Sequence, residues 1–102
     1  MQEETLAKII EAIKQVIIPD HIILFGSRAQ GKADESSDYD LLVLKKNIHK
    51  KREIAQRIYL NLHHIDAPVD IIVEDSAIYE AHKENPFLIY QTISRDGIMI
   101  YG

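Results

Sequence analysis

Two short apolar segments on either side of a small polar loop constrain the fold of this chain more than any other feature. The first is His21 to Phe25, which ends directly at Gly26-Ser27, and the second is Tyr39 to Leu44. Runs of this length bounded by turn residues are typical of strands buried in a sheet. Residues 28–37 are small and polar, which predicts a loop or a single helical turn between the two strands.

Helical patterns surround these strands. Apolar residues recur at three- and four-residue spacing over residues 3–17 and 50–65, which predicts two amphipathic helices that end before Pro19 and Pro68. Another apolar run, Val69 to Val73, follows the second helix and predicts a third strand. The order so far is helix, strand, turn, strand, helix, strand.

The last third of the chain predicts two short helices and a closing strand. Asp75 or Ser76 can cap a helix that ends near Lys83. The second helix should begin at Asn85-Pro86, end near Arg95 and stop at Gly97 in the left-handed conformation. Residues 98–101 complete the pattern as a strand. The fold class is therefore α/β (α+β), with helices packed on a small sheet whose strand order stays open.

Size and composition fit a single domain, residues 1–102, without disulfides. The chain has 102 residues and no cysteine, which excludes thiolate zinc sites, iron–sulfur clusters and a cysteine nucleophile. No apolar run approaches the roughly 18 residues of a membrane span. The start, MQEETLAK, is acidic where a signal peptide would be basic. We therefore expect a cytoplasmic protein with no membrane contact.

The net charge bears on partners. A formal charge of -4 argues against holding a nucleic acid by phosphate neutralisation alone. Direct nucleic-acid binding is therefore not expected, and an anionic substrate would need bound cations.

Three aspartates are the sharpest chemical feature. Asp38 and Asp40 open the second strand, where residues two apart point to one face and lie roughly 6.5 Å apart along the chain. Two carboxylates at this spacing repel each other unless a cation lies between them, and they suit one or two Mg²⁺ ions. Asp70 interrupts the third apolar run, where an unpaired charge is costly. If the second and third strands are neighbours, Asp70 completes a triad; otherwise it is an edge or capping residue.

Gly26 and Ser27 form the second chemical feature. A glycine directly after a buried strand lets backbone amides approach an anion, Ser27 adds a hydroxyl and Arg28 a cation. Residues 26–32 also approach the phosphate-loop pattern, but Ala33 stands where that loop needs Ser or Thr, so we reject it. A calcium loop over residues 34–45 is rejected because Tyr39 and Lys45 occupy the glycine and glutamate positions.

The run LFGSRAQGKADESSDYDLLVL, residues 24–44, resembles the signature of the DNA polymerase beta-type nucleotidyltransferase superfamily: an apolar strand, Gly-Ser, a loop and Asp-x-Asp on the next strand. It is most similar to the minimal nucleotidyltransferases of prokaryotic two-gene modules paired with HEPN-domain proteins. Asp70 falls where that family's third acid is expected. The matching motif positions are Gly26, Ser27, Arg28, Gly31, Ser37, Asp38 and Asp40.

The resemblance implies a small mixed sheet with a palm-like nucleotidyltransferase core and transfer of a nucleoside monophosphate, with ATP as the expected donor. Asp38 and Asp40 would hold two Mg²⁺ ions, and Asp70 would ligate the second and could accept the acceptor's proton. Gly26 and Ser27 would hold the β- and γ-phosphates. Arg28 would contact phosphate or pair with an acid on the same face. Gly31 would be needed for the turn of the loop.

The acceptor is expected on another macromolecule, because little chain remains after the third acid to select one. The resemblance implies a HEPN ribonuclease toxin, adenylylated on a hydroxyl such as that of a tyrosine, with this chain as the antitoxin. Two alternatives stay open. The chain could neutralise its partner by occlusion without catalysis, or it could act on a small-molecule or RNA acceptor presented by another chain.

Three further features have two interpretations each. His63-His64 could suggest a metal site, but adjacent helical residues do not face each other, which favours surface histidines. A basic cluster could touch phosphate or RNA, or form the solvated start of a helix; it consists of Lys45, Lys46, Lys50, Lys51 and Arg52. The apolar residues of the last helix are divided between core and a partner interface; they are Phe87, Leu88, Ile89, Tyr90 and Ile93.

Overall fold

The apolar runs of the sequence become the strands of one sheet in a computed structural model, which describes residues 3–34 and 37–102. Glu35 and Ser36, which belong to the loop expected before the second strand, lie outside the described residues. None of the helices described has the length and apolar character needed to cross a membrane. In chain order the elements are α1 (Glu4–Lys14), β1 (His21–Phe25), β2 (Tyr39–Lys45), α2 (Lys51–Leu60), β3 (Val69–Asp75), α3 (Ser76–His82), α4 (Ile89–Asp96) and β4 (Ile98–Tyr101).

The sheet is mixed, with the strand order β3-β2-β1-β4. β1 is antiparallel to both of its neighbours, β2 and β4. β2 and β3 are parallel and are joined by α2, as a parallel pair requires a crossover connection. This topology confirms the expected α/β class with a small mixed sheet. It also places the beginnings of β2 and β3 and the end of β1 at one edge of the sheet.

Helices cover both faces of the sheet, and strand alternation divides the core between them. On one face, α1 and α2 pack against Leu41 and Val43 of β2. On the other, Tyr79 of α3 and Ile93 of α4 pack against Leu42 and Leu44. β2 lies between the two layers, so its middle residues are buried on both sides and read as a continuous apolar run.

The first two helices end earlier than their periodicity predicts. α1 ends at Lys14 and not at residue 17, because the chain must turn there to enter β1 after Pro19. α2 ends at Leu60 and not at residue 65. Asn61 closes it and donates from its side chain to the Ala12 carbonyl at 2.9 Å. Leu62 and Ile65 still contact the core, but they lie in two consecutive turns after the helix. Their three-residue spacing resembles that of a helix although the helix has ended.

Two expectations for the last helix are wrong. α4 begins at Ile89, because the Asn85 side chain accepts from the Phe87 amide at 2.9 Å and closes a turn around Pro86 in place of a helix start. Gly97 is extended, with φ -76° and ψ 161°, and is not left-handed. A glycine is needed there for space, since a Cβ would lie 2.5 Å from the Ile93 carbonyl oxygen and 2.6 Å from Cγ2 of Ile23.

Candidate active site

The parallel register of β2 and β3 brings the three predicted carboxylates together. Asp40 is the register partner of Asp70, so the two side chains project side by side from the same face. Asp38 lies two residues before Asp40, at the start of the strand. Carboxylate oxygens of Asp38, Asp40 and Asp70 all lie within 4.8 Å of one another. The condition set by the sequence, that the second and third strands be neighbours, is therefore met.

The electrostatics of this cluster favour a cation. Burial of Asp40 raises the pKa of its carboxyl, and the charges of Asp70 and Asp38 and a hydrogen bond with Asp70 raise it further. A group in this position resists ionisation until a positive charge compensates it. The donor set consists of carboxylate oxygens, the ligands that Mg²⁺ and other hard divalent cations take. The residues present therefore fit the Mg²⁺ expected from the sequence.

Gly26 allows the Asp40 carboxylate to approach the end of β1. Phe25 is the register partner of Asp40, so the next residue passes directly beside that side chain. A Cβ at Gly26 would lie 2.3 Å from Oδ2 of Asp40. The residue also has φ +75°, where L side chains are strained. The backbone conformation therefore favours glycine at this position, and any other side chain would have to displace the Asp40 carboxylate.

The loop after Gly26 is wound into tight turns, as its small polar residues predict. The Gly26 carbonyl accepts from the Ala29 amide at 3.1 Å, and the Ser27 carbonyl accepts from the amides of Gln30 at 3.2 Å and Lys32 at 3.0 Å. These bonds hold Gly26 and Ser27 at the end of β1, beside the carboxylate cluster. The predicted anion-binding loop and the predicted metal ligands thus share one edge of the sheet.

Arg28 connects this loop to the start of β2. Its guanidinium donates to the Ser37 carbonyl from Nε at 3.1 Å and from an Nη at 2.9 Å. It also lies over the Tyr39 ring, 3.9 Å from the centroid. The described contacts of Arg28 therefore go to backbone carbonyls and an aromatic face, and not to an acid as one reading of the sequence allowed. They hold the residues on both sides of Asp38.

Tyr39 is a site-supporting residue that the sequence interpretation missed. It lies between the two aspartates of the motif and points to the opposite face, where it is buried. Its hydroxyl donates to a carboxylate oxygen of Glu3, which fastens α1 to the start of β2. Burial and the Glu3 carboxylate raise the pKa of the Tyr39 hydroxyl. Strand alternation alone could have indicated this role, because it places Tyr39 on the face of β2 opposite to Asp38 and Asp40.

The remaining sequence candidates are not members of the carboxylate cluster. His63 and His64 are exposed in the turn after α2, with their rings edge to face. Lys51 is not simply a solvated helix start, since its Nζ lies 2.8 Å from Oε2 of the buried Glu74. Of the apolar residues that the sequence assigned to the last helix, Ile93 is buried and Phe87, which precedes α4, is exposed.

Comparison with known proteins identifies the family. Residues 7–102 match the family model described as polymerase beta, nucleotidyltransferase. The chain belongs to this nucleotidyltransferase family. The match covers nearly the whole sequence and includes the glycine loop and all three aspartates, so the resemblance drawn from the motif is confirmed.

A curated relative of this nucleotidyltransferase comes from Methanocaldococcus jannaschii, and its name assigns it protein adenylyltransferase activity. The two sequences are 64% identical over 31 residues, which is 30% of this chain and 21% of the relative. The aligned stretch thus spans about a fifth of that protein's length.

Solved structures share the nucleotidyltransferase fold. One is a toxin–antitoxin complex with AMP-PNP, at 24% identity and a TM-score of 0.59 over 98% of this chain and 74% of that one. Another is a tyrosine-to-alanine mutant of the MntA–HpeT toxin–antitoxin pair, at 24% identity and a TM-score of 0.60 over 100% and 74%. A Sulfolobus solfataricus protein named as a nucleotidyltransferase aligns at 19% identity and a TM-score of 0.52 over 97% and 87%.

Proposed function

We propose that this chain transfers AMP from ATP to a hydroxyl group, that of a tyrosine, on a partner HEPN-type ribonuclease toxin, and that it thereby acts as an antitoxin in the cytoplasm. The observation that carries the proposal is the register match of Asp40 with Asp70, with Asp38 adjacent and the glycine loop at the same edge. Nucleotidyl transfer requires charge neutralisation and alignment, and this edge offers ligands for both.

Each residue of the edge has a role in the proposal. Asp38, Asp40 and Asp70 would hold two Mg²⁺ ions, which when bound supply charge neutralisation to the triphosphate. Gly26 and Ser27 would bind the β- and γ-phosphates through their backbone and hydroxyl groups, with the cation Arg28 behind them. The acceptor oxygen forms the bond to the α-phosphorus as the bond to the pyrophosphate oxygen breaks. Asp70 would accept the proton of the acceptor hydroxyl.

The comparisons support the choice of donor and acceptor. The Methanocaldococcus jannaschii relative is named for adenylyl transfer to protein. One structural neighbour contains AMP-PNP, an ATP analogue, in a toxin–antitoxin complex, and another carries a tyrosine-to-alanine change. ATP as donor and a toxin tyrosine as acceptor are the assignments for this chain that agree with all three.

The test is label transfer to the product of the neighbouring gene. The chain is incubated with that protein, Mg²⁺ and ATP labelled at the α-phosphate, and the labelled residue is mapped by mass spectrometry. We expect one labelled hydroxyl on the partner and none when EDTA is present. Absence of label from a folded complex of the two proteins would refute the proposal.

A matched variant separates catalysis from occlusion. Asp38→Asn with Asp40→Asn removes two carboxylates without changing side-chain size. We expect this double variant to bind the partner but to lose both label transfer and the rescue of cells from the toxin. Rescue by a double variant without transferase activity would instead establish neutralisation by occlusion. Transfer to a small molecule or RNA, with none to the partner protein, would establish the other alternative.

A further inference from the structure

Half of the chain's basic side chains are concentrated at the end of the sheet opposite the aspartates. Residues 45–57 contain six of the twelve Lys and Arg residues and one acid, Glu53. They comprise the last residue of β2, the following loop and the first part of α2, whereas Asp38 and Asp40 stand at the start of β2. A seven-residue strand separates the two ends by roughly 20 Å. Asp20, Glu74 and Asp75 also lie at this end, where Asp20 pairs with Lys45 and Glu74 with Lys51, so the excess of positive charge is carried by the remaining cations.

Two adjoining grooves cross this basic end. The first, of about 540 Å³, has apolar residues such as Ile48 and Ile54 in its floor and Lys46 and Arg57 among its cations. The second, of about 640 Å³, lies across the first turns of α2 and includes Lys51 and Arg52. Both are lined in part by His49, Lys50 and Glu53. Together they form an elongated open surface and not an enclosed pocket, which suits an extended ligand.

The cations of this surface are weakly neutralised within the protein. Among the described residues, Lys46, Arg52 and Arg57 take part in no ion pair. Lys45 lies 4.0 Å from Asp20 and Lys50 lies 3.8 Å from Glu53, and long, solvent-accessible pairs of this kind contribute little. Arg52 stands in the first turn of α2, where a cation opposes the helix dipole, so the stability of α2 does not account for this residue.

We propose that this basic surface, formed by Lys45, Lys46, Lys50, Arg52 and Arg57, binds the phosphate backbone of a single-stranded RNA independently of its sequence. The elongated shape accommodates several consecutive phosphates, whereas a small anion would need a closed site. The grooves are lined by no Phe, Tyr or Trp side chain among the described residues, so they offer charge with little base stacking beyond the His49 ring. The carboxylate triad repels a polyanion, which disfavours binding at the opposite end of β2.

This proposal refines the expectation from net charge. The value of -4 for the whole chain disfavours nucleic-acid binding only if the charge is evenly distributed. Here the carboxylate triad and the basic surface lie at opposite ends of β2, and the average conceals both. The proposal is independent of the transferase activity proposed above.

The experiment is a fluorescence-anisotropy titration of a labelled, mixed-sequence single-stranded RNA at low salt. EDTA is included so that no metal ion bridges the RNA to the aspartates. We expect binding that weakens as salt rises and reaches the range of non-specific complexes, Kd of about 10⁻⁴ to 10⁻⁶ M, at physiological salt. The triple variant Lys46→Gln, Lys50→Gln and Arg57→Gln should bind at least about tenfold more weakly. Its slope of log K against log salt should fall by about two, since each lost phosphate contact removes about 0.7.

A second triple variant is the control. Lys8→Gln, Lys83→Gln and Arg95→Gln remove the same total charge from other parts of the surface and should leave RNA binding close to that of the wild type. Thermal melts confirm that both triple variants are folded, as expected for substitutions at exposed positions and, for Lys83, at a half-buried one. Equal weakening by both variants, or no RNA binding at low salt, would refute the proposal. So would polyglutamate displacing the RNA at equal charge, which indicates an acidic polypeptide partner, or self-association that the first triple variant abolishes.

Discussion

Gly26 combines a left-handed backbone with contact against a metal-ligand candidate, and the two effects can be separated by mutation. Gly26→Ala places a methyl group 2.3 Å from Oδ2 of Asp40, at a residue with φ +75°. We expect nucleotidyl transfer to fall at least about a hundredfold, because a misplacement of about 1 Å in a site can cost that much. The measurement is label transfer under the conditions given above, together with a thermal melt.

Gly31→Ala is the matched control for this substitution. Gly31 also has a positive φ, +70°, but a Cβ there would meet nothing within 4 Å. Gly31→Ala should therefore destabilise the fold only by the cost of a left-handed backbone, about 1–2 kcal/mol. Similar losses of transfer in both variants would show that strain, and not the approach to Asp40, is responsible.

Arg28 is expected to act by positioning Asp38. Arg28→Lys retains the positive charge but cannot reproduce the two hydrogen bonds to the Ser37 carbonyl and the stacking on Tyr39. The free energy lost with one such charged hydrogen bond corresponds to about a tenfold change in an equilibrium constant. We therefore expect Mn²⁺ binding, measured by electron paramagnetic resonance, to weaken about tenfold while ATP affinity at saturating metal changes little. The reverse pattern would identify Arg28 as a direct phosphate ligand.

We expect Asp40 to make the stability of the metal-free protein depend on pH. Its pKa in the fold is raised above the ordinary 3.8 by burial and by the neighbouring carboxylates. The protonated form is therefore preferred in the fold, and its stabilisation is lost as pH rises through the folded-state pKa. In EDTA at neutral pH, Asp40→Asn should melt a few degrees higher than the wild type, and the difference should vanish below pH 3.8. Asp66→Asn, which changes an exposed carboxylate outside the cluster, should not raise the melting temperature.

At the level of single residues, the sequence predicts those parts of the site that depend only on the geometry of one strand or turn. Asp38 and Asp40 share a face by strand alternation, and Gly26 follows a strand, so their proximity needed only that β1 and β2 pair. The contribution of Asp70 depended on strand order, which no local pattern encodes. The partners of Arg28 and Tyr39 could not be predicted, because Glu3 contacts Tyr39 only through the packing of α1 on the sheet.

Among the helices and strands, one buried carboxylate joins three elements. Glu74, near the end of β3, is 5% exposed. It accepts from Lys51 at the start of α2 at 2.8 Å and from Tyr90 of α4 at 2.5 Å. Burial alone would raise the pKa of Glu74, but the hydrogen bonds from Lys51, Tyr90 and the Asp75 amide hold it below its ordinary value. The ionised carboxylate therefore stabilises the junction of these elements.

Lys51→Met should destabilise the protein by about 3 kcal/mol at neutral pH, because it leaves a buried carboxylate without its cation. The pKa of Glu74 is lowered, so the stabilisation is present above its ordinary value of 4.5 and is lost as pH falls through the folded-state pKa. The difference in the free energy of unfolding between wild type and Lys51→Met, measured with urea, should accordingly become smaller in acid. Lys50→Met, at the exposed neighbouring lysine, should cost about 0.5 kcal/mol or less. A large effect of Lys50→Met would contradict this assignment.

The bounds of strands were predictable and those of helices less so, for a physical reason. Each apolar run between turn residues became a strand, since a buried strand needs continuous apolar sequence. Helix ends depend on tertiary contacts: Asn61 closes α2 by bonding to the end of α1, while Leu62 continues the apolar spacing. Asn85-Pro86 satisfies the rule for a helix start, but the Asn85 side chain bonds within a turn instead.

On the scale of the whole molecule, we expect the carboxylate triad to make stability depend on divalent cations. An ion that binds only the folded state stabilises it by about 2.7 kcal/mol at a hundred times its Kd. We expect Mg²⁺ to raise the melting temperature of the wild type by several degrees and that of the Asp38→Asn, Asp40→Asn double variant hardly at all. Calorimetry with and without EDTA measures this. Equal shifts in both proteins would place the stabilising ions elsewhere.

The parallel pairing of β2 with β3 has a kinetic consequence. Asp40 and Asp70 are 30 residues apart in sequence and meet only after α2 has crossed over the sheet. Such non-local pairs form late, because closing the intervening loop costs entropy before any contact compensates for it. If the ion joins only the completed pair, Mg²⁺ should slow unfolding and leave the refolding rate nearly unchanged. A chain emerging from the ribosome would then acquire its metal site as one of the last events of folding, after the sheet is complete.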